Sequence, residues 1–129
     1  MSAGPPRFEG FVPGRHLIEA YGAGGFRFAG MGHRGSLLVL PGGIQAWDIA
    51  AFEALTPDSF AAVLAERKNL DFLLLGTGER QLFPAPPIRL AFETAGLGLE
   101  AMSTGAAART FNVLLAEGRK VAAALIAVP

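Results

Sequence analysis

The strongest constraint on the fold is the rhythm of residues 70–128, where apolar runs alternate with two helix-shaped segments. Leu70-Asp71-Phe72-Leu73-Leu74-Leu75 is almost continuously apolar, as expected of a strand covered on both faces. Pro86-Pro87 opens a helix, because proline suits the first helical position, and Gly96 closes it. Leu97-Gly98-Leu99-Glu100-Ala101-Met102 reads as a short strand. Thr104 is expected to cap the next helix, in which Ala107, Phe111, Leu114 and Leu115 form one stripe and which Gly118 ends. Residues 121–128 read as a last buried strand. Strand, helix, strand, helix, strand in this order requires crossover connections and a largely parallel core.

The first half has a different texture. Leu17-Ile18-Glu19-Ala20-Tyr21, Phe26-Arg27-Phe28, Ser36-Leu37-Leu38-Val39-Leu40 and Ile44-Gln45-Ala46-Trp47 are short apolar segments separated by glycine-rich breaks. Such punctuation predicts antiparallel strands joined by turns. Thr56-Pro57 starts a helix over about 57–68, with Phe60, Val63 and Leu64 at helical spacing. Residues 1–14, with three prolines and three glycines, are expected to form a loose arm, leaving 15–129 as a single domain. The expected architecture is α/β, one mixed sheet flanked by helices with β-hairpins in the N-terminal half.

Composition removes several classes of function. With 51% apolar and 17% charged residues, the chain is no disordered protein. Eleven basic residues balance eleven acidic ones, so there is no phosphate-neutralising excess and nucleic acid is not an expected partner. The same neutrality limits charge repulsion between copies and leaves a homo-oligomer open. No cysteine is present, which rules out disulfides, thiolate ligands and thiol nucleophiles. Met1 to Arg7 hold no apolar stretch of signal-peptide length, and the run from Val121 is too short to span a bilayer. A cytoplasmic, not membrane-spanning protein is expected.

Two turns carry the candidate site. Gly76-Thr77-Gly78-Glu79-Arg80 follows the most apolar strand, where open α/β sheets bind ligands. Freed amides there form either an anion nest or a plain tight turn. It has neither the third glycine of a dinucleotide fingerprint nor the Lys-Ser/Thr pair of a P-loop. Ser103-Thr104-Gly105-Ala106-Ala107-Ala108-Arg109 leaves the next strand and enters a helix, so its amides make a positive helix end. Belonging to one β-α-β unit, both turns should share one edge of the sheet. Glu100 lies in an apolar strand, is expected to be buried, and would then need Arg80 or Arg109 as a partner. The candidate ligand-binding set is therefore Gly76, Thr77, Gly78, Arg80, Glu100, Ser103, Thr104, Gly105 and Arg109. His16 and His33 are too few for a metal site and are placed on surface loops. Ser103 lacks the Gly-x-Ser-x-Gly elbow of a serine hydrolase. Trp47 and the ten phenylalanines are assigned to the core. Neither a catalytic constellation nor a cofactor motif is recognisable.

The blocks Leu74-Leu75-Gly76-Thr77-Gly78-Glu79-Arg80-Gln81, Met102-Ser103-Thr104-Gly105-Ala106-Ala107 and Arg109-Thr110-Phe111-Asn112 are specific in combination. Through them the chain, from about residue 7 to 127, resembles the small domain family that includes mitochondrial complex I assembly factor 3 and an adipogenesis-associated protein. The resemblance implies a compact three-layer α/β fold, no established enzymatic activity, and protein partners in assembly of the respiratory NADH dehydrogenase. Many relatives carry cysteine where this chain has Ala108, so the resemblance implies no shared thiol chemistry. Two functions are expected: a non-catalytic interaction protein, with the resemblance implying an assembly factor for the respiratory NADH dehydrogenase, or a domain that binds or weakly processes a small anionic ligand at the two turns.

Overall fold

A computed structural model of the chain describes residues 7–129. Six strands form one sheet: β1 (Phe11–Pro13), β5 (Ser36–Leu40), β6 (Gly43–Trp47), β7 (Phe72–Gly76), β8 (Gly98–Met102) and β9 (Val121–Leu125). Their order is β1-β6-β5-β9-β7-β8. β7 runs parallel to both β8 and β9, while β5 pairs antiparallel with β9 and β6. β9 is thus the seam between a parallel half and an antiparallel half. Three further strands, β2 (Ile18–Gly22), β3 (Gly25–Phe28) and β4 (Met31–Arg34), form the N-terminal hairpins as a separate antiparallel sheet.

The result is a three-layer α/β domain. Side chains alternate across a strand, and β7 divides accordingly between two cores. Leu74 joins Phe26, Phe28, Ala107 and Phe111 on one face, under the small sheet and helix α3 (Thr104–Ala116). Leu73 and Leu75 join Phe60, Val63, Ile88 and Phe92 on the other, under α1 (Ala61–Ala65) and α2 (Pro86–Ala95). Consecutive crossovers from β7 to β8 and from β8 to β9 step in opposite directions along the sheet. Each crossover turns right-handed, so α2 and α3 must lie on opposite faces, as they do. Three alanines of β9 are fully buried, which lets helices approach this central strand closely from both sides.

Several expectations are corrected. Residues 1–6 of the expected arm lie outside the described residues, and the rest is not loose: β1 pairs with β6 from Phe11 to Pro13. Proline is tolerated there because an edge strand need not donate from every amide. Phe8 also packs edge-on against Phe28, at 5.1 Å between ring centroids. The helix expected over 57–68 is only Ala61–Ala65, flanked by 3-10 turns at Pro57–Phe60 and Arg67–Asn69. His33 belongs to β4, not to a loop, and is half-buried against Phe8. Burial disfavours its charged form and lowers its pKa, partly opposed by a backbone hydrogen bond with Ser36. Trp47 is in the core, but Phe11 and Phe83 are exposed.

Candidate functional site

The two turns meet at the carboxyl ends of β7 and β8. The connections from these adjacent strands leave toward opposite faces, which is the switch point where open α/β sheets place ligands. The Gly78 amide donates to Thr104 Oγ1 at 3.0 Å, and the Thr104 amide donates to the Gly78 carbonyl at 2.8 Å. Thr104 Oγ1 in turn donates to the Ile126 carbonyl at 2.7 Å, just past the end of β9. Thr77 Oγ1 donates toward the Arg80 and Met102 carbonyls, at 2.6 and 3.1 Å, and accepts from the Leu82 amide at 3.0 Å. One hydroxyl from each turn therefore ties three chain segments together. Gly76 permits this closeness, since a Cβ there would lie 2.9 Å from Thr104 Cα.

Thr104 is not the helix cap expected from the sequence. Ser103 is the N-cap and accepts from the Ala106 amide at 3.3 Å. Thr104 is the first helical residue, and its hydroxyl is drawn inward to the Ile126 carbonyl; its exposure is 0%. Among the described residues no buried side-chain nitrogen or oxygen lacks a hydrogen-bond partner. The junction is internally satisfied.

The charged members of the candidate set do not converge as expected. Glu100 is exposed on β8, the edge strand, so no burial penalty calls for a partner. It lines a groove with Gln81, Arg89 and Glu93 on the side of α2. Arg80 is exposed and borders a different cavity with Phe52 and Glu53. Arg109 extends from α3 and donates through Nη1 to the Tyr21 hydroxyl at 2.9 Å. Gly78, Ser103, Gly105 and Arg109 of the set line one cavity, of about 330 Å³, together with Tyr21 and Glu79, while Thr77, Gly78 and Arg80 share the cavity beside Glu53.

Two residues of this region escaped the sequence reading. Tyr21, the sole tyrosine, crosses from β2 onto the start of α3, and a Cβ on Gly105 would collide with its hydroxyl and ring. Asn112 accepts from the Ile18 amide and donates to the Ile18 carbonyl, both at 2.8 Å, which closes the edge of β2 with a side chain. An asparagine in the interior of α3 was the available signal. No group of three or more histidine, aspartate or glutamate side chains suited to a metal occurs among the described residues.

A family model described as protein of unknown function (DUF498/DUF598) matches residues 18–126. The chain belongs to this family. An uncharacterised member from Rhodobacter capsulatus is 39% identical over 129 residues, spanning 100% of this chain and 95% of the relative. Human NADH dehydrogenase (ubiquinone) 1 alpha subcomplex assembly factor 3 is 30% identical over 112 residues. That match takes in 87% of this chain but 61% of the assembly factor, so the chain spans about three-fifths of that relative's length. A crystal structure described as an outer membrane protein from Bartonella henselae superimposes with a TM-score of 0.87 at 47% identity, covering 91% of this chain and 98% of that one. Among the described residues of this DUF498/DUF598 member, no helix is long and apolar enough to cross a membrane.

Proposed function

We propose that this protein is a non-catalytic interaction protein that acts in assembly of a respiratory NADH dehydrogenase, complex I. The observation that carries the proposal is the 30% identity to assembly factor 3 over 87% of the chain. The geometry supports it from another side. At the switch point of the sheet, the hydroxyls of Thr77 and Thr104 are spent on backbone groups of this chain. A tagged copy recovered from its own organism's membranes, gently solubilised, is expected to bring down NADH dehydrogenase subunits or their assembly proteins reproducibly. Recovery of neither overturns the proposal. The same reading places the protein in the cytoplasm, within reach of the membrane-bound complex.

A second reading rests on one observation, the cavity of about 330 Å³ where Arg109 stands beside Ser103 and Gly105 at the start of α3. Arg109 keeps donors beyond the one given to Tyr21, and a helix N-terminus favours negative charge. The ligand would be a small carboxylate or phosphate. In a thermal-shift screen of phosphate, nucleotides and carboxylates, a ligand at 100 times its dissociation constant adds roughly 2.7 kcal/mol of stability. Arg109→Ala should abolish that gain. A flat screen, or a gain that survives Arg109→Ala, removes this reading.

A further inference from the structure

The small sheet buries one face and leaves the other bare. Phe26 and Phe28 of β3 point inward, and Tyr21 and His33 flank Phe26 in register on the same face. The opposite face consists of two cross-strand rows. Ala20, Arg27 and Gly32 form one, and Gly22, Gly25 and Arg34 form the other. These residues border an open cavity of about 520 Å³. Arg27 and Arg34 are its charged lining, and no aspartate or glutamate lines it. On a chain whose formal net charge is zero, this is a locally cationic surface.

The fold explains some of the bare floor, but not all of it. Gly22 has a φ of 121°, which disfavours any side chain. A Cβ on Gly25 would strike the His33 carbonyl. Gly32 is under neither constraint: its φ is not positive, and a Cβ there would meet only the Arg27 guanidinium, at an ordinary 3.9 Å. A strand glycine weakens its strand, and it often marks a place where a ligand or another backbone approaches closely.

Arg27 and Arg34 stand diagonally on this face, since Arg27 opposes Gly32 and Arg34 opposes Gly25. Diagonal neighbours in an antiparallel pair lie about 7–8 Å apart. An extended chain presents same-face side chains two residues apart at about 6.6 Å. Arginine also holds carboxylates bidentately.

We propose that this outer face of β2–β3–β4 docks an extended acidic segment of a protein partner, with two carboxylates at alternate positions held by Arg27 and Arg34 over the glycine floor. The proposal rests on the chain being an interaction protein, and not on which complex it serves. Charge complementarity favours this occupant over a second copy of the chain, whose matching face would oppose arginine to arginine.

The test titrates the full-length, 15N-labelled protein at low salt with a short synthetic peptide carrying two glutamates two positions apart. The controls are the same peptide with glutamines, and inorganic phosphate. Saturable shifts concentrated at residues 20–34, lost with the glutamine peptide and fading with salt, are expected. Arg27→Glu or Arg34→Glu should each weaken binding about tenfold. The double reversal should instead bind the lysine version of the peptide. Gly32→Val should leave the melting temperature unchanged or higher and still weaken the peptide, which a purely structural glycine would not do. Shifts that are absent or fall elsewhere overturn the proposal, as does phosphate reproducing them or Gly32→Val binding normally. Recovery of complex I proteins in the pull-down is independent of these results, so a failed titration with a successful pull-down discards this surface alone.

Discussion

The parallel half and the small glycine-rich sheet solve the same problem in opposite ways. Around β7 and β9 both faces are covered, and the strand ends are tied by two buried threonine hydroxyls, those of Thr77 and Thr104. In β2–β4 one face is packed, the other carries arginines and glycines, and the ties to the rest of the domain include two side-chain contacts, Tyr21 with Arg109 and Ile18 with Asn112, beside one backbone bond from the Gly24 amide to the Val128 carbonyl. A site of maximum burial has its polar groups committed internally. A thin, half-covered sheet has groups to spare. The contrast teaches that at the ends of β7 and β8 the Thr77 and Thr104 hydroxyls act as a structural latch, whereas the small sheet turns its arginines to an open face.

Thr104→Val gives the sharpest attack on that contrast. It keeps the shape but strands the Ile126 carbonyl and the Gly78 amide, and should cost about 3 kcal/mol, read by denaturant unfolding. Thr77→Val should cost about 2 kcal/mol in the same assay. Effects below half a kcal/mol for both would dissolve the latch.

Gly105→Ala probes the seam between the regions. The Tyr21 ring must move, at a cost of about 1 kcal/mol. In the Tyr21→Ala background that penalty should vanish, and an additive double-mutant cycle would deny the contact.

His33 makes the small sheet respond to acid. Its folded pKa lies below the ordinary histidine value, so the unfolded chain binds the proton first. Its contribution to stability is complete above about pH 6.5 and declines as pH falls toward the lower folded value. Unfolding measured between pH 7.5 and 5 should show a decline that His33→Gln reduces. An identical pH slope in both proteins would refute this. The smallest change is Gly32→Ala, expected within about 0.5 kcal/mol of the parent by thermal unfolding. A larger loss would show that the bare floor is structural.

The parallel half was legible because each element carries its own local mark. Pro86 and Gly96 bracket α2 in the structure as in the sequence, and Leu73 to Leu75 read as a strand covered on both faces. The meeting of the two turns followed from topology, since consecutive crossovers bring the same ends of β7 and β8 together. What stayed hidden was which side of a strand each residue faces and which strands lie at edges. Glu100 sits among apolar neighbours in sequence, yet β8 has a partner on one side only and the carboxylate faces solvent. Tyr21 and Arg109 are 88 residues apart, and no local pattern joins them. Glycine punctuation hid β1 and β4, because it reads as turn even where a strand continues through it.

The seam strand β9 also orders events in time. β5 and β7 share no neighbour except β9, and the pairing of Leu37 with Leu125 closes a span of 125 − 37 = 88 residues. During synthesis the chain therefore carries two unfinished half-sheets until the alanine-rich segment emerges and welds them. Deleting residues 121–129 should split the domain instead of trimming it, leaving a nascent chain with two open edges for chaperones to shield.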